Sequence, residues 1–165
     1  MPLTAVLVLV VNDPIRSGSG AGPAPSATAP APTVALPPLE VVPPPPLAPA
    51  AQRSCQELIS ALPVRLGERA ARPVDSPSPY VTAWGDPPVV LRCGVPRPAA
   101  FRADSEVLDI NGVRWFAEPR GRTTTFTAVD RAVYVEVVSP TAEASAPAAR
   151  LSTALGRALA KQPGR

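Results

Sequence analysis

Residues 84–98 read WGDPPVVLRCGVPRP, and this stretch decides how the rest of the chain is arranged. Gly-Asp-Pro-Pro at residues 85–88 is typical of a tight turn, because each of these residue types favours turn geometry. Proline cannot donate a hydrogen bond to a neighbouring strand, so the apolar run that follows predicts a strand over residues 89–93. That run ends in Cys93, one of only two cysteines in the chain. We therefore expect the first strand of a small domain here.

Composition divides the 165-residue chain into two parts. Residues 1–53 contain 13 of the 25 prolines and only four charged residues. Proline lacks the amide hydrogen that helices and sheets need, so Pro/Ala-rich stretches favour extended polyproline conformations. We assign a truncated apolar anchor or signal remnant to residues 1–16, a disordered Pro/Ala-rich linker to residues 17–53, and a globular α+β domain to residues 54–162.

The apolar run LTAVLVLVV at residues 3–11 is too short to cross a bilayer. Nine helical residues rise about 13 Å, whereas the hydrocarbon core is about 30 Å thick. Three interpretations remain open: a poor signal peptide, a chance apolar start, or the second half of a membrane anchor whose upstream codons were lost by the choice of a late start. We favour the third, because the sequence begins abruptly inside the run. The expected location is the extracytoplasmic face of the cell membrane, or outside the cell.

The globular part is expected to open with a helix. Ser54 and Glu57 have the spacing of a capping box, which predicts a helix that begins at Ser54. Pro63 predicts that this helix ends near Ala61. Residues 68–83 contain three prolines and predict irregular structure.

Two hairpins are expected in the middle of the domain. Asn-Gly at residues 111–112, between VLDI at 107–110 and VRWF at 113–116, is typical of a type I′ turn. Residues 123–129 and 132–138 predict a second hairpin around Asp130 and Arg131.

A second helix is expected near the C-terminus. Pro147 suits the first turn of a helix that runs to about Lys161, with leucines at every fourth position, namely Leu151, Leu155 and Leu159. The predicted fold is a two-layer α+β domain. It has a mostly antiparallel sheet of about five short strands, with the N-terminal and C-terminal helices packed on one face.

Cys55 and Cys93 have two interpretations. In an oxidising compartment they form a disulfide, and in the cytosol they are two buried thiols of a scaffold protein. We favour the disulfide, which would stabilise the fold by about 4 kcal/mol over this separation in sequence. No C-x-x-C motif or histidine accompanies them, so a metal site is not expected.

Five segments of the sequence resemble one known family. They are CQELI at residues 55–59, ALP at 61–63, AWGDPPVVLRCG at 83–94, NGVRW at 111–115 and FTAVDRAVYVEV at 126–137. In these segments the chain resembles the actinobacterial envelope proteins grouped as domain of unknown function 3515 (DUF3515). The resemblance covers residues 54–160 and implies an N-terminal membrane anchor with an external domain. It implies no activity.

The charged residues limit the classes of function. The chain has no histidine, which excludes Ser-His and Cys-His nucleophile systems. It has 16 basic and 13 acidic residues, and all but one of the basic residues are arginine. A GC-rich genome explains this bias most simply, and a surface for phosphate or carboxylate is the functional alternative. The arginines form no basic stripe, so no nucleic-acid partner is expected, and we expect no cofactor.

Two functional classes remain. The first is a tethered, non-catalytic module that binds an envelope protein or an anionic polymer through arginines beside the tryptophans. The residues assigned to partner binding are Trp84, Asp86, Arg92, Arg97, Arg114 and Trp115. The tryptophans also fit core packing, and Asp86 also fits a turn. The second class is a hydrolase that uses an aspartate pair, with Asp86 and Asp130 as candidates, on cell-wall polymer.

Overall fold

Eight antiparallel strands form the main sheet of the structure, a computed structural model that describes residues 36–162. In chain order these strands are β2 (Arg65–Leu66), β3 (Arg69–Arg72), β5 (Val81–Trp84), β6 (Val89–Cys93), β7 (Leu108–Ile110), β8 (Val113–Arg120), β9 (Thr123–Ala128) and β10 (Val135–Pro140). Across the sheet their order is β2-β3-β5-β6-β10-β9-β8-β7. A separate pair consists of β1 (Leu39–Glu40) and β4 (Val74–Asp75), which run parallel.

Two helices accompany the sheet. They are α1 (Pro49–Ala61) and α2 (Ala146–Ala158), and a 3-10 turn over Thr141–Glu143 leads into α2. The helices contact each other, and α2 also contacts β7, β8 and β10. The predicted α+β class, with a mostly antiparallel sheet and two helices on it, is confirmed. The sheet has eight strands rather than about five, and the strand at residues 89–93, expected to be the first of the domain, is β6.

Alternation along the strands places the core between the sheet and the helices. On β6, Leu91 and Cys93 are fully buried, and their partners Val137 and Val135 on β10 are fully buried as well. Leucines from both helices complete the same cluster, namely Leu58, Leu151 and Leu155. We call the opposite side of the sheet the outer face.

Cys55 of α1 and Cys93 of β6 form a disulfide, and their Cα atoms are 5.6 Å apart. Both residues are fully buried. The predicted pairing is confirmed, and it links the first helix to an interior strand of the sheet.

The hairpin predicted at Asn111 and Gly112 is present between β7 and β8. Asn111 has φ of 52° and Gly112 has φ of 76°, as a type I′ turn requires. Ile110 and Val113 face each other directly across the turn. The second predicted hairpin is also present as the β9–β10 pair.

The first helix begins earlier than the capping box indicated. It starts at Pro49, so Ser54 lies inside it and caps nothing. Proline is well suited to the first turn of a helix, because the amide hydrogen that it lacks would have no partner there. The predicted end at Ala61 is correct. The second helix contains Pro147 in its first turn, as expected, and ends at Ala158, ahead of Lys161.

Residues 68–83 are not irregular, because β3, β4 and the first part of β5 lie in this range. Pro73 separates β3 from β4, and Pro77 and Pro79 lie between β4 and β5. Each proline therefore flanks a strand instead of interrupting it, where its missing donor costs nothing.

Residues 36–47 form a segment that we call the strap, and it belongs to the fold. Its strand β1 pairs with β4 through bonds from the amide of Leu39 to the carbonyl of Pro73 (2.9 Å) and from the amide of Val41 to the carbonyl of Asp75 (3.1 Å). The residues 36–53 of the predicted linker therefore have a defined place in the structure. Residues 17–35 of that linker, and the predicted anchor at residues 1–16, lie outside the described residues. Within residues 36–162, neither helix has the length and hydrophobicity that a bilayer crossing requires.

The rest of the strap runs along the domain after β1. Pro44 is buried, and the carbonyl of Val42 accepts a bond of 3.3 Å from Nη1 of Arg92. Leu47 packs against Gly94, where a Cβ would lie 2.5 Å from the leucine Cδ2. The glycine has φ of +85°, so both the space and the backbone favour glycine at this position.

Candidate functional site

The two tryptophans are core residues. Trp84 on β5 is 1% exposed, and its indole Nε1 donates to the carbonyl of Pro63 at 3.0 Å. Trp115 on β8 is fully buried, and its Nε1 donates to Oγ of Ser152 at 3.0 Å. Each ring fills the core while its one polar atom finds an internal partner. We therefore assign both residues to packing and not to partner binding.

The two candidate aspartates lie at opposite ends of the sheet. Asp86 is in the turn that precedes Val89, the first residue of β6. Asp130 is in the loop that precedes Val135, and Val135 pairs with Cys93, the last residue of β6. From its first residue to its last, β6 spans about 13 Å. Paired carboxylates in glycosidases are only about 5–9.5 Å apart. This placement does not support a joint catalytic role for the two aspartates.

Each aspartate has a structural role of its own. Asp86 is largely exposed and lies 3.5 Å from Nη1 of Arg72. Asp130 is buried, and its Oδ1 accepts a bond of 3.2 Å from the backbone amide of Arg114. Arg131 beside it donates to the carbonyl of Gly112. The loop between β9 and β10 is thereby fastened to the hairpin of β7 and β8, and Arg114 belongs to this end of the sheet.

Arg92 is the predicted site residue that the sheet places on the outer face. Cys93 points into the core, so the neighbouring Arg92 points out, directly opposite Glu136 on β10. Its Nε and Nη2 lie 2.9 and 2.6 Å from Oε1 of Glu136. Its Nη1 reaches the carbonyl of Val42 in the strap. This arginine therefore joins two strands and the strap.

Arg97 is brought to the same face by the loop between β6 and β7. The ring of Phe101 in this loop lies 5.2 Å from the ring of Phe116 on β8, centroid to centroid. The guanidinium of Arg97 sits over the Phe101 ring at 4.9 Å, and its Nη2 donates to the Phe101 carbonyl at 3.0 Å. The aromatic pair holds the loop against the sheet, and the arginine is held on the loop.

A pocket of about 240 Å³ lies between the strap, this loop and the outer face, and we call it the outer-face pocket. Prolines from the strap and the loop form part of its wall. Its charged lining residues are Arg92, Arg97, Glu118, Arg120 and Glu136. Of the six residues assigned to partner binding from the sequence, Arg92 and Arg97 meet here.

One arginine of the pocket forms no ion pair within residues 36–162. Arg92 is paired with Glu136, and Nη2 of Arg120 lies 3.0 Å from Oε1 of Glu118. Among residues 36–162, no carboxylate forms an ion pair with Arg97. Guanidinium binds carboxylate and phosphate with two parallel hydrogen bonds, so Arg97 is suited to an anionic group of a ligand. Within the described part of the chain, no three acidic or cysteine side chains gather as metal ligands.

The family comparison agrees with the resemblance seen in the sequence. The model of the family described as protein of unknown function (DUF3515) matches residues 1–164, which is nearly the whole chain. The chain belongs to the DUF3515 family. Neither the curated proteins nor the solved structures include a significant match to it.

The sequence of this DUF3515 protein did not predict the two glutamates, Arg120 or the strap as parts of the pocket. Glu136 alternates with Val135 and Val137, which puts it on the other face of β10, but its pairing with Arg92 depends on the register of β6 against β10. Glu118 and Arg120 carry no sequence signal, because residues 117–120 (AEPR) show no clear alternation. The strap had the composition of a linker, which concealed its contribution to the pocket.

Proposed function

We propose that this protein is a domain of the cell envelope, membrane-tethered or secreted, that binds an anionic group of an envelope protein or polymer and does no chemistry on it. The observation that carries the proposal is the outer-face pocket, where three arginines meet two glutamates and Arg97 has no carboxylate partner. The disulfide supports a location outside the cytoplasm, because such bonds persist in oxidising compartments.

The arrangement of the arginines supports binding in preference to hydrolysis. Arg97 is exposed, but its guanidinium lies over the Phe101 ring and donates to the Phe101 carbonyl, so its position is partly set before a ligand arrives. The aspartates that a hydrolase would need are separated by the length of a strand. The structure thus favours the binding module over the aspartate-pair hydrolase.

The proposal is tested by titrating the full chain at low salt with two probes, a ten-residue poly-glutamate peptide and inorganic polyphosphate. Arg97→Ala should weaken binding of the probe about tenfold, because a charge-assisted hydrogen bond is lost. Arg157→Ala is the matched control, since it removes the same charge from an exposed position on α2. Equal affinities for the wild type and Arg97→Ala, or no binding of either probe, would overturn the proposal.

A further inference from the structure

The ion pair between Arg120 and Glu118 is unevenly exposed. The side chain of Glu118 is 18% exposed, whereas that of Arg120 is 68% exposed. Glu118 pairs with Thr125 in the middle of the β8–β9 ladder, whereas Arg120 is the last residue of β8 and pairs with Thr123. An ion pair with one partner largely in water contributes little to stability. Arg120 is therefore a replaceable partner for a carboxylate that is fixed in the sheet.

The other ion pair in the pocket is built differently. Arg92 contacts Glu136 through two nitrogen atoms, and both side chains are mostly buried, at 26% and 15% exposed. The same arginine also bonds to Val42 of the strap. Breaking this pair would leave a buried charge without a partner, which is costly. We take it as the fixed floor of the pocket, not as a contact for a ligand.

The pocket thus offers one cation without a carboxylate partner and one carboxylate with a replaceable partner. A purely anionic ligand uses only the first. A ligand that also carries an ammonium group can take the place of Arg120 beside Glu118, and the released Arg120 can join Arg97 on the carboxylate of the ligand. The exchange keeps every charge paired.

From this balance we infer that the outer-face pocket binds a small zwitterion, an amino acid or short peptide with both end charges, its carboxylate at Arg97 and its ammonium at Glu118. The inference rests on the anion-binding role that the proposed function gives to Arg97, and goes beyond it because the ligand is a small molecule rather than an envelope protein or polymer. The volume of about 240 Å³ is below that of pockets for drug-sized molecules, which suits a ligand of this size. Pro44 and Pro98 give the pocket apolar walls for a small side chain.

The test uses three probes of nearly the same shape, titrated into the full chain by calorimetry. They are alanyl-alanine, its N-acetyl derivative, which lacks the ammonium, and its amide, which lacks the carboxylate. Alanyl-alanine should bind at least tenfold more tightly than either derivative. Glu118→Gln should remove the preference for the free dipeptide over the acetylated one, and Arg97→Ala should weaken both.

A second variant tests the inference without substituting the partly buried Glu118. Arg120→Ala removes an exposed side chain and frees Glu118 from its internal partner, so the dipeptide amide should bind more tightly than it does to the wild type. An acetylated dipeptide that binds as well as the free one would overturn the inference and leave anion binding intact. Failure of all three dipeptides together with both polyanion probes would overturn the proposed function as well.

Discussion

At the scale of single residues, the core of this protein is specified by polar atoms as well as by apolar ones. The indole of Trp115 donates to Ser152, and the hydroxyl of Ser152 donates in turn to the carbonyl of Ala148 at 2.8 Å. All three residues are fully buried. This chain of hydrogen bonds fixes how α2 sits on β8, because a shifted helix would leave the indole nitrogen unpaired in the core.

Ser152→Ala should lower the free energy of unfolding by about 1–3 kcal/mol, because it leaves a buried indole N–H without an acceptor. Urea denaturation followed by tryptophan fluorescence measures the loss. Thr153→Ala, an exposed position on the same helix, is the control and should change stability by no more than about 0.5 kcal/mol. Equal stability of the two variants would show that the hydrogen bond does not fix the packing of α2.

Residue types in the sequence predicted the disulfide between Cys55 and Cys93. They did not decide between core and surface for the tryptophans. A tryptophan suits either place, and the acceptors at Pro63 and Ser152 are distant in sequence from Trp84 and Trp115. Only tertiary structure brings each indole to its acceptor.

At the scale of elements, the strap is what distinguishes this domain from a sheet with two helices. It contributes a strand parallel to β4, a wall of the outer-face pocket and the Leu47 side chain, which packs against Gly94. Its prolines do not conflict with these roles, because an extended segment on the surface needs few amide donors. The two donors that it uses for β4 come from Leu39 and Val41, outside the proline run.

Val41→Pro should release the strap, because proline removes the donor to Asp75. We expect faster amide exchange at Leu39, faster proteolysis within residues 36–47 and weaker binding of the probes in the pocket. Val42→Pro is the matched control, since among the described residues the amide of Val42 donates to no acceptor. The role assigned to the strap fails if the two variants are cleaved at the same rate.

Sequence patterns predicted the elements with strong local signals, such as the Asn111–Gly112 hairpin, the strand over residues 89–93 and the second helix. They failed where proline was taken as an interruption. Pro49 begins a helix, and Pro73 only separates two short strands. The short strands β3 and β4 are stabilised by their neighbours in space more than by their own residues, so a local pattern cannot reveal them.

At the scale of the whole molecule, one covalent bond joins the two layers. The disulfide links α1 to β6, which lies between β5 and β10 inside the sheet. The separation of 38 residues between the cysteines makes the bond effective, because it removes many open conformations of the unfolded chain.

Reduction should lower the free energy of unfolding by about 4 kcal/mol on the chain-entropy model, measured by urea denaturation with and without reductant. The double variant Cys55→Ala, Cys93→Ala should be equally destabilised and should not respond to reductant. In producing cells, a maleimide applied under denaturing conditions should label neither cysteine until a reductant is added. Labelling without reductant would contradict the proposed location outside the cytoplasm.

The position of the disulfide also determines how the molecule yields to mechanical force. A pull on the chain upstream of residue 36 would peel off the strap and then unwind α1 from Pro49, but it would stop at Cys55, where tension passes into the middle of the sheet. Residues 36–54 reach about 65 Å when fully extended. Beyond that extension the pull acts on the sheet through Cys93, and residues 55–93 cannot be drawn out until a reductant cuts the bond.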